Sequence, residues 1–202
     1  MYKYGQGLFI LMITITIIIL SACAQTNNES KSSDDQADVE SQETIETNAS
    51  GVEEVLVTLM NPDGKTVATA TLTEKAEGGV GIILEGEDLP PGELAFHIHE
   101  SGQCVPPDFE TAGGHYNPTG SKHGFKHPEG PHAGDLKNIT VKEDGTVYAE
   151  VEAPMVTLKR DGENTLFTKE GTSLIIHAGP DDYISQPSGD AGDRIACGVI
   201  GE

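Results

Sequence analysis

From Gly113 to Asp135 the chain reads GGHYNPTGSKHGFKHPEGPHAGD, a run so dense in Gly and Pro that neither a helix nor a strand can pass through it. A loop of that length inside a compact domain is either functional or without fixed structure. Four of its side chains, His115, His123, His132 and Asp135, offer N and O donors in the number and type that a tetrahedral zinc ion takes. Bound metal would supply the order that the composition withholds. A surface loop with scattered histidines is the plainer reading, and for a single histidine it would be the better one. Four candidate ligands, with further histidines upstream and downstream, favour metal. His127 sits in the same loop but outside the pattern and reads as an exposed polar residue.

The rest of the chain from Val52 is short runs rich in Val, Ile, Leu and Thr: VLVTLM, TVATATLT, VGIILEG and LAFHIHE, then ITV, TVYAEVEA, SLIIH and RIACGVIG. Turn signals such as NPDG, LPPGE and Asp144-Gly145 separate them, and alternation at this spacing predicts antiparallel strands. No stretch carries the apolar period of a helix. The expected fold is all-β, an eight-stranded antiparallel Greek-key sandwich or flattened barrel of immunoglobulin-like type. Two long functional loops, His99 to Asp135 and Ala178 to Arg194, interrupt it. His97 and His99 lie two apart on one strand, so both leave the same face and form half of a site; a solvent-facing polar pair is the other reading. His177 ends the run SLIIH where the second long loop begins.

The N-terminal part reads differently. An apolar run from Leu8 to Leu20 follows Lys3 and is short for a membrane span, so residues 1–22 read as a signal peptide. The run ends in Leu20-Ser21-Ala22-Cys23, which resembles the bacterial lipobox, whose cysteine becomes the lipidated first residue. An uncleaved anchor with an incidental cysteine is the alternative; both put the chain outside the cytoplasmic membrane. The lipobox reading places the protein on the outer face of the bacterial cell membrane, held through lipid on Cys23. Residues 24–50 carry seven acids against the single Lys31 and almost no apolar residue, the composition of a disordered, extended tether.

Residues 51–202 are enough for one domain with a real core. With 33 acids to 12 bases in the chain, nucleic acid is a poor partner. An anionic substrate would need a local positive feature. Once Cys23 is set aside, Cys104 and Cys197 remain, and two cysteines in an exported domain favour a disulfide over free thiols.

FHIHE, Cys104, GGHYNP, KHG, HAGD, LIIHAGPDD and GDAGDRIACGVIG stand in the order and approximate spacing of the copper/zinc superoxide dismutase family, which this sequence resembles over nearly all of residues 52–201. The resemblance implies copper on His97, His99, His115 and His177, and zinc on His115, His123, His132 and Asp135, with His115 serving both ions. It also implies that Asp181 joins a copper ligand to a zinc ligand, that Cys104 pairs with Cys197, and that Arg194 stands beside the copper. A fixed guanidinium there is the positive feature an anion needs. Two departures stand out. The segment FKHPEGP, residues 125–131, differs from the commoner Gly-Gly-Pro or Gly-Ala-Pro continuation. The second loop has no Lys or Arg before Arg194, which predicts weak electrostatic steering.

The function so implied is conversion of superoxide to dioxygen and hydrogen peroxide by copper redox cycling. Zinc is then a structural and electrostatic partner, and Arg194 and His115 are the catalytic side chains. The alternative is a copper- and zinc-binding surface lipoprotein without turnover on the same scaffold. A zinc hydrolase fits poorly, because four protein ligands leave the ion no open position for water. Oligomeric state is not legible from these residues.

Overall fold

The computed structural model describes residues 44–47 and 53–201. The readings of residues 1–22 as a signal peptide, of Cys23 as a lipidation site and of most of the tether lie outside them. Ten strands follow in chain order: β1 Thr44–Thr47, β2 Glu53–Met60, β3 Thr66–Glu74, β4 Val80–Gly86, β5 Gly92–Leu94, β6 Phe96–His99, β7 Ile139–Val141, β8 Val147–Ala153, β9 Thr172–His177 and β10 Arg194–Gly201. The one helical element among the described residues is a 3₁₀ turn, Glu110–Ala112.

Eight strands form one antiparallel curled sheet, seven of them in the order β6-β9-β10-β2-β3-β4-β8 with β1 beside β2, and β5 and β7 form a second, two-stranded sheet. The alternation in the sequence has its expected consequence. Along β2, Val55, Val57 and Leu59 are fully buried while Leu56 and Thr58 are exposed. Leu72, Ile82, Leu84, Phe96, Ile98, Leu174 and Ile176 join them in a single apolar core. The NPDG turn between β2 and β3 is closed by Asn61, whose Oδ1 accepts the N–H of Asp63 and of Lys65, the side-chain turn that Asn favours.

All eight expected runs form strands, with one division. LAFHIHE is β5 and β6 rather than one strand, because the chain changes partner at Ala95. Before it, Leu94 pairs with Ile139 of β7; after it, Phe96 pairs with Ile176 of β9. Ala95 itself donates to Gly179 O and accepts from His177 N–H. Another difference is that Thr44–Thr47, inside the segment read as tether, pairs antiparallel with β2. β10 reaches β2 only at Cys197↔Met60, so the first half of β2 has an open edge of unpaired backbone groups, and β1 lies along it. A third long connection, residues 154–171, joins β8 to β9. Glu74 pins it by accepting from Leu158 N–H at 2.7 Å and from the Thr157 hydroxyl.

β6 and β9 are buried on both faces. Phe96, Ile98, Leu174 and Ile176 point into the core. His97 and His99 leave β6 on the other face, opposite Ile175 and Ser173. The long connection after β6 runs back along the strand's free edge: Ile98 N–H donates to Gly134 O, and Tyr116 N–H donates to Ile98 O. Cys104 and Cys197 form a disulfide, Cα–Cα 5.6 Å, and pack with Phe109, Ala112 and Ile175 in a small apolar cluster outside the main core. The pairing ties the start of the first loop to β10.

Candidate metal centre

Six histidines and two aspartates that lie far apart in sequence meet under the two long loops, and all eight are buried. His97, His99, His115 and His177 form one group of candidate ligands and His115, His123, His132 and Asp135 another, the ligand atoms of each group lying within 4.8 Å of one another. His115 belongs to both.

The hydrogen bonds fix which ring nitrogen each histidine can offer. His99 Nδ1 donates to Gly113 O at 3.0 Å, His177 Nδ1 to Gly192 O at 3.1 Å, and His97 Nε2 to Asp181 Oδ2 at 2.9 Å. A carbonyl or carboxylate can only accept, so the proton of each neutral ring sits on that nitrogen. The opposite nitrogens, His97 Nδ1, His99 Nε2 and His177 Nε2, then carry lone pairs, and His115 Nε2 faces the same place. None of these four buried atoms has a hydrogen-bond partner. Buried polar atoms are normally paired, and convergent lone pairs repel one another unless a cation stands between them. Imidazole nitrogens are ligands that suit copper and zinc.

In the other group the three edges that run from Asp135 have tetrahedral length. Asp135 Oδ1 lies 2.7 Å from His115 Nδ1, 3.0 Å from His123 Nδ1 and 3.2 Å from His132 Nδ1. Ligand bonds of about 2 Å give tetrahedral edges of roughly 3.3 Å. Asp135 is held in place through its second oxygen, which accepts the N–H groups of Gly124 at 2.7 Å and His132 at 3.0 Å. The donor sets thus fit copper and zinc, and the two groups could hold these ions.

Asp181 joins them. Its Oδ2 meets His97 Nε2, and its Oδ1 meets His123 Nε2 at 3.0 Å and the Tyr183 N–H at 2.6 Å. Gly189, at φ +75°, passes so close that a Cβ there would stand 1.9 Å from Asp181 Oδ1. Only glycine fits that crossing.

Burial sets the protonation of the rings. Desolvation, with His115 nearby, pushes His97 down to about 3; burial takes His177 to about 4 and His99 well below its ordinary value. All three therefore stay neutral at physiological pH, as metal ligands must. His123 goes the other way: burial opposes its charge, but Asp135 and Asp181 outweigh it and raise it to about 9. For Asp135 too, burial favours the neutral acid, yet the three histidines and the Gly124 N–H hold it far below the usual carboxylate range.

Arg194, the first residue of β10, reaches back under the loop. Its Nη1 donates to Phe109 O at 2.6 Å and its Nη2 to Gly113 O at 2.7 Å. With His99, His115 and His177 it lines a cavity of about 470 Å³ whose wall includes Pro187, Ser188 and Gly192 of the second loop. The Gly113 carbonyl therefore orients a candidate ligand and the arginine together. No sequence signal marks that role, because a backbone carbonyl has no residue type.

Among the described residues, every candidate site residue from the sequence lies at this centre apart from the two disulfide cysteines beside it. His127 stays outside both groups, its Nδ1 accepting the Glu129 N–H. The unusual segment 125–131 closes on itself, His127 N–H to Gly124 O and Gly130 N–H to His127 O. It packs Phe125 edge-on against Tyr183 at 5.8 Å. Sequence reading missed Phe109, Gly113 and Gly192, which act through carbonyls. It also missed Asn138 and Gln186, whose amides bind backbone across loops.

Comparison with known proteins agrees with this geometry. The family model described as copper/zinc superoxide dismutase matches residues 66–200. The chain is 54% identical over 143 residues to superoxide dismutase [Cu-Zn] 2 of Aquifex aeolicus, covering 70% of this chain and 83% of that one. It is 38% identical over 192 residues to the superoxide dismutase-like protein YojM of Bacillus subtilis, covering 95% and 94%. The crystal structure of a double mutant of a SOD-like protein from Bacillus subtilis superposes with a TM-score of 0.71 at 44% identity, covering 73% of this chain and 97% of that one. The strand order, the two histidine groups that share His115 and these matches lead to one assignment: the chain belongs to the copper/zinc superoxide dismutase family.

Proposed function

We propose that this protein dismutes superoxide, two superoxide ions and two protons giving dioxygen and hydrogen peroxide. Copper would be held by His97 Nδ1 and by Nε2 of His99, His115 and His177, and zinc by Nδ1 of His115, His123 and His132 with Asp135 Oδ1. Bound there, copper supplies one-electron exchange, while zinc, which has a single oxidation state, supplies charge and order. The observation that carries the reading is the set of four buried ring nitrogens, partnerless and converging under a cavity that Arg194 lines.

The remaining steps belong to side chains of the protein. Arg194, its guanidinium fixed by two carbonyls, docks the anion by charge-assisted hydrogen bonds. It is a local positive charge in a chain of formal net charge −21, so docking is a short-range event. Whenever copper does not hold its lone pair, His115 Nε2 is the atom that can carry a proton to the nascent peroxide, since its Nδ1 faces the zinc group and the residue lines the cavity. Asp181, Gly113 O and Gly192 O keep the other three rings in one tautomer, which is how such partners tune ligands.

A second reading has one specific support: the Bacillus subtilis relative that matches 95% of the chain is named superoxide dismutase-like. On that reading the chain holds metal without turnover. Elemental analysis of the purified domain, with a superoxide assay before and after copper is supplied, separates the two. Activity that rises with bound copper supports dismutation; a copper-loaded, inactive domain supports the second reading. We further propose export and lipid attachment through Cys23, on the strength of the Leu20-Ser21-Ala22-Cys23 motif. Intact-mass measurement of the membrane fraction, with Cys23→Ser as comparison, tests it.

A further inference from the structure

We infer that Gln186 is a positioning residue for the zinc group, a side-chain latch that ties the backbone of His123 to the loop walling the cavity; this rests on the zinc assignment just proposed. The His123 N–H donates to Gln186 Oε1 at 3.0 Å, and Gln186 Nε2 donates to His123 O at 2.9 Å. One primary amide thus pairs with both polar groups of one residue, as a neighbouring strand would. Gln186 Nε2 also donates to Ile184 O at 2.9 Å, which holds the side chain in the conformation that reaches across.

The residue it grips has little freedom to spare. His123 must present Nδ1 toward Asp135 Oδ1 and Nε2 toward Asp181 Oδ1 at once, so its ring has to sit between two carboxylates. Its backbone lies in a loop where no strand pairing can fix it. Asp181 binds the ring and Gln186 binds the main chain, and both come from the loop after β9. Asn138 makes the matching contact on Asp181: its Nδ2 donates to Asp181 O and its Oδ1 accepts Asp181 N–H, both at 3.0 Å. Each loop is therefore fastened to the other by an amide that copies a β-pair. The next residues of the second loop, Pro187 and Ser188, line the cavity. Order at the zinc group and the shape of the cavity wall are joined through residue 186.

Outer partners that bond the ligating side chain itself are each worth about 10- to 100-fold in metal affinity, and a latch on the ligand's main chain is expected at the lower end of that range. Gln186→Ala removes the amide and its bulk. Gln186→Met keeps the length and removes the hydrogen bonds, so the pair separates latch from packing. Zinc affinity would be measured by chelator competition on the metal-free full-length protein and its variants. Cobalt(II) would serve as a spectroscopic probe of the zinc group, and amide hydrogen exchange would follow residues 183–190. Both variants are expected to bind zinc roughly tenfold more weakly and to show an altered cobalt spectrum. Zinc is expected to protect residues 183–190 from exchange in the unsubstituted protein, and both variants should lose that protection. Zinc affinity and cobalt spectrum within twofold of the unsubstituted protein in Gln186→Met would overturn the latch, whatever Gln186→Ala does. Unsubstituted protein that takes no zinc at all removes the zinc assignment and the latch with it.

Discussion

Replacing Asp181 by Asn tests the centre where its parts are most interdependent, and the hydrogen bonds say which metal should suffer. The carboxylate accepts from three donors: His97 Nε2 on one oxygen, His123 Nε2 and the Tyr183 N–H on the other. Burial opposes its charge, but those N–H groups keep it well below the ordinary carboxylate range. Asn brings one oxygen and one NH₂ into the same place. The Tyr183 N–H cannot turn away, so the oxygen belongs on its side, where it also satisfies His123. The NH₂ then faces the His97 Nε2–H, donor against donor. His97 can escape only by moving its proton to Nδ1, the nitrogen proposed to bind copper. A hydrogen bond to a charged group, or a buried donor left unpaired, is worth roughly 1.5–3 kcal/mol, which is about 10- to 150-fold in copper affinity, with a smaller effect on zinc. Chelator-competition titration of copper into zinc-loaded protein, alongside a zinc titration, measures both. Copper affinity within twofold of the unsubstituted protein, or a loss confined to zinc, would refute the tautomer argument.

Three other predictions follow the same geometry. His97→Ala or His177→Ala should reduce dismutation to background while the domain stays folded and keeps one zinc, because neither residue belongs to the zinc group; metal content, circular dichroism and a superoxide assay read this together. Arg194→Ala should keep both metals and slow turnover about 10- to 100-fold, the worth of a charged hydrogen bond to the anion, with unchanged kinetics reducing Arg194 to a brace for residues 109–113. Zinc loading should release about one proton at pH 7.5: metal-free His123, raised to about 9, is protonated there, and zinc takes its Nδ1. Stability from that proton is fully present below the unfolded-state value near 6.5 and is lost as pH rises through about 9. Because zinc must displace that proton from the folded protein, its affinity should rise up to about tenfold per pH unit below about 9 and flatten above it. Calorimetry in two buffers of different ionisation enthalpy counts the proton, and a count of zero excludes a protonated His123.

Most of the strand plan was legible in order, because each strand's alternation is a local property that its own residues carry. LAFHIHE marked a strand, but its division at Ala95 was not visible. The switch from β7 to β9 depends on which partners the curled sheet brings alongside, and those are more than 40 and 75 residues away. Likewise nothing local showed that residues 44–47 would pair with β2, since the open edge exists only after β10 has peeled away from it. The connection at 154–171 carries no chemistry-bearing motif and drew no attention, although Glu74 fastens it.

For the centre itself, residue types and spacing named the ligands, since His and Asp at chosen positions are the donors and no fold can substitute other atoms for them. The tertiary structure alone decided which nitrogen of each ring is free, because that depends on carbonyls of Gly113 and Gly192 and on Asp181, brought in from other loops. It alone decided that Arg194 is held by Phe109 O and Gly113 O, and that Gln186 and Asn138 reach across to backbone. A chain can write its donors into its letters, whereas the direction in which each donor points is settled only when distant loops close over one another.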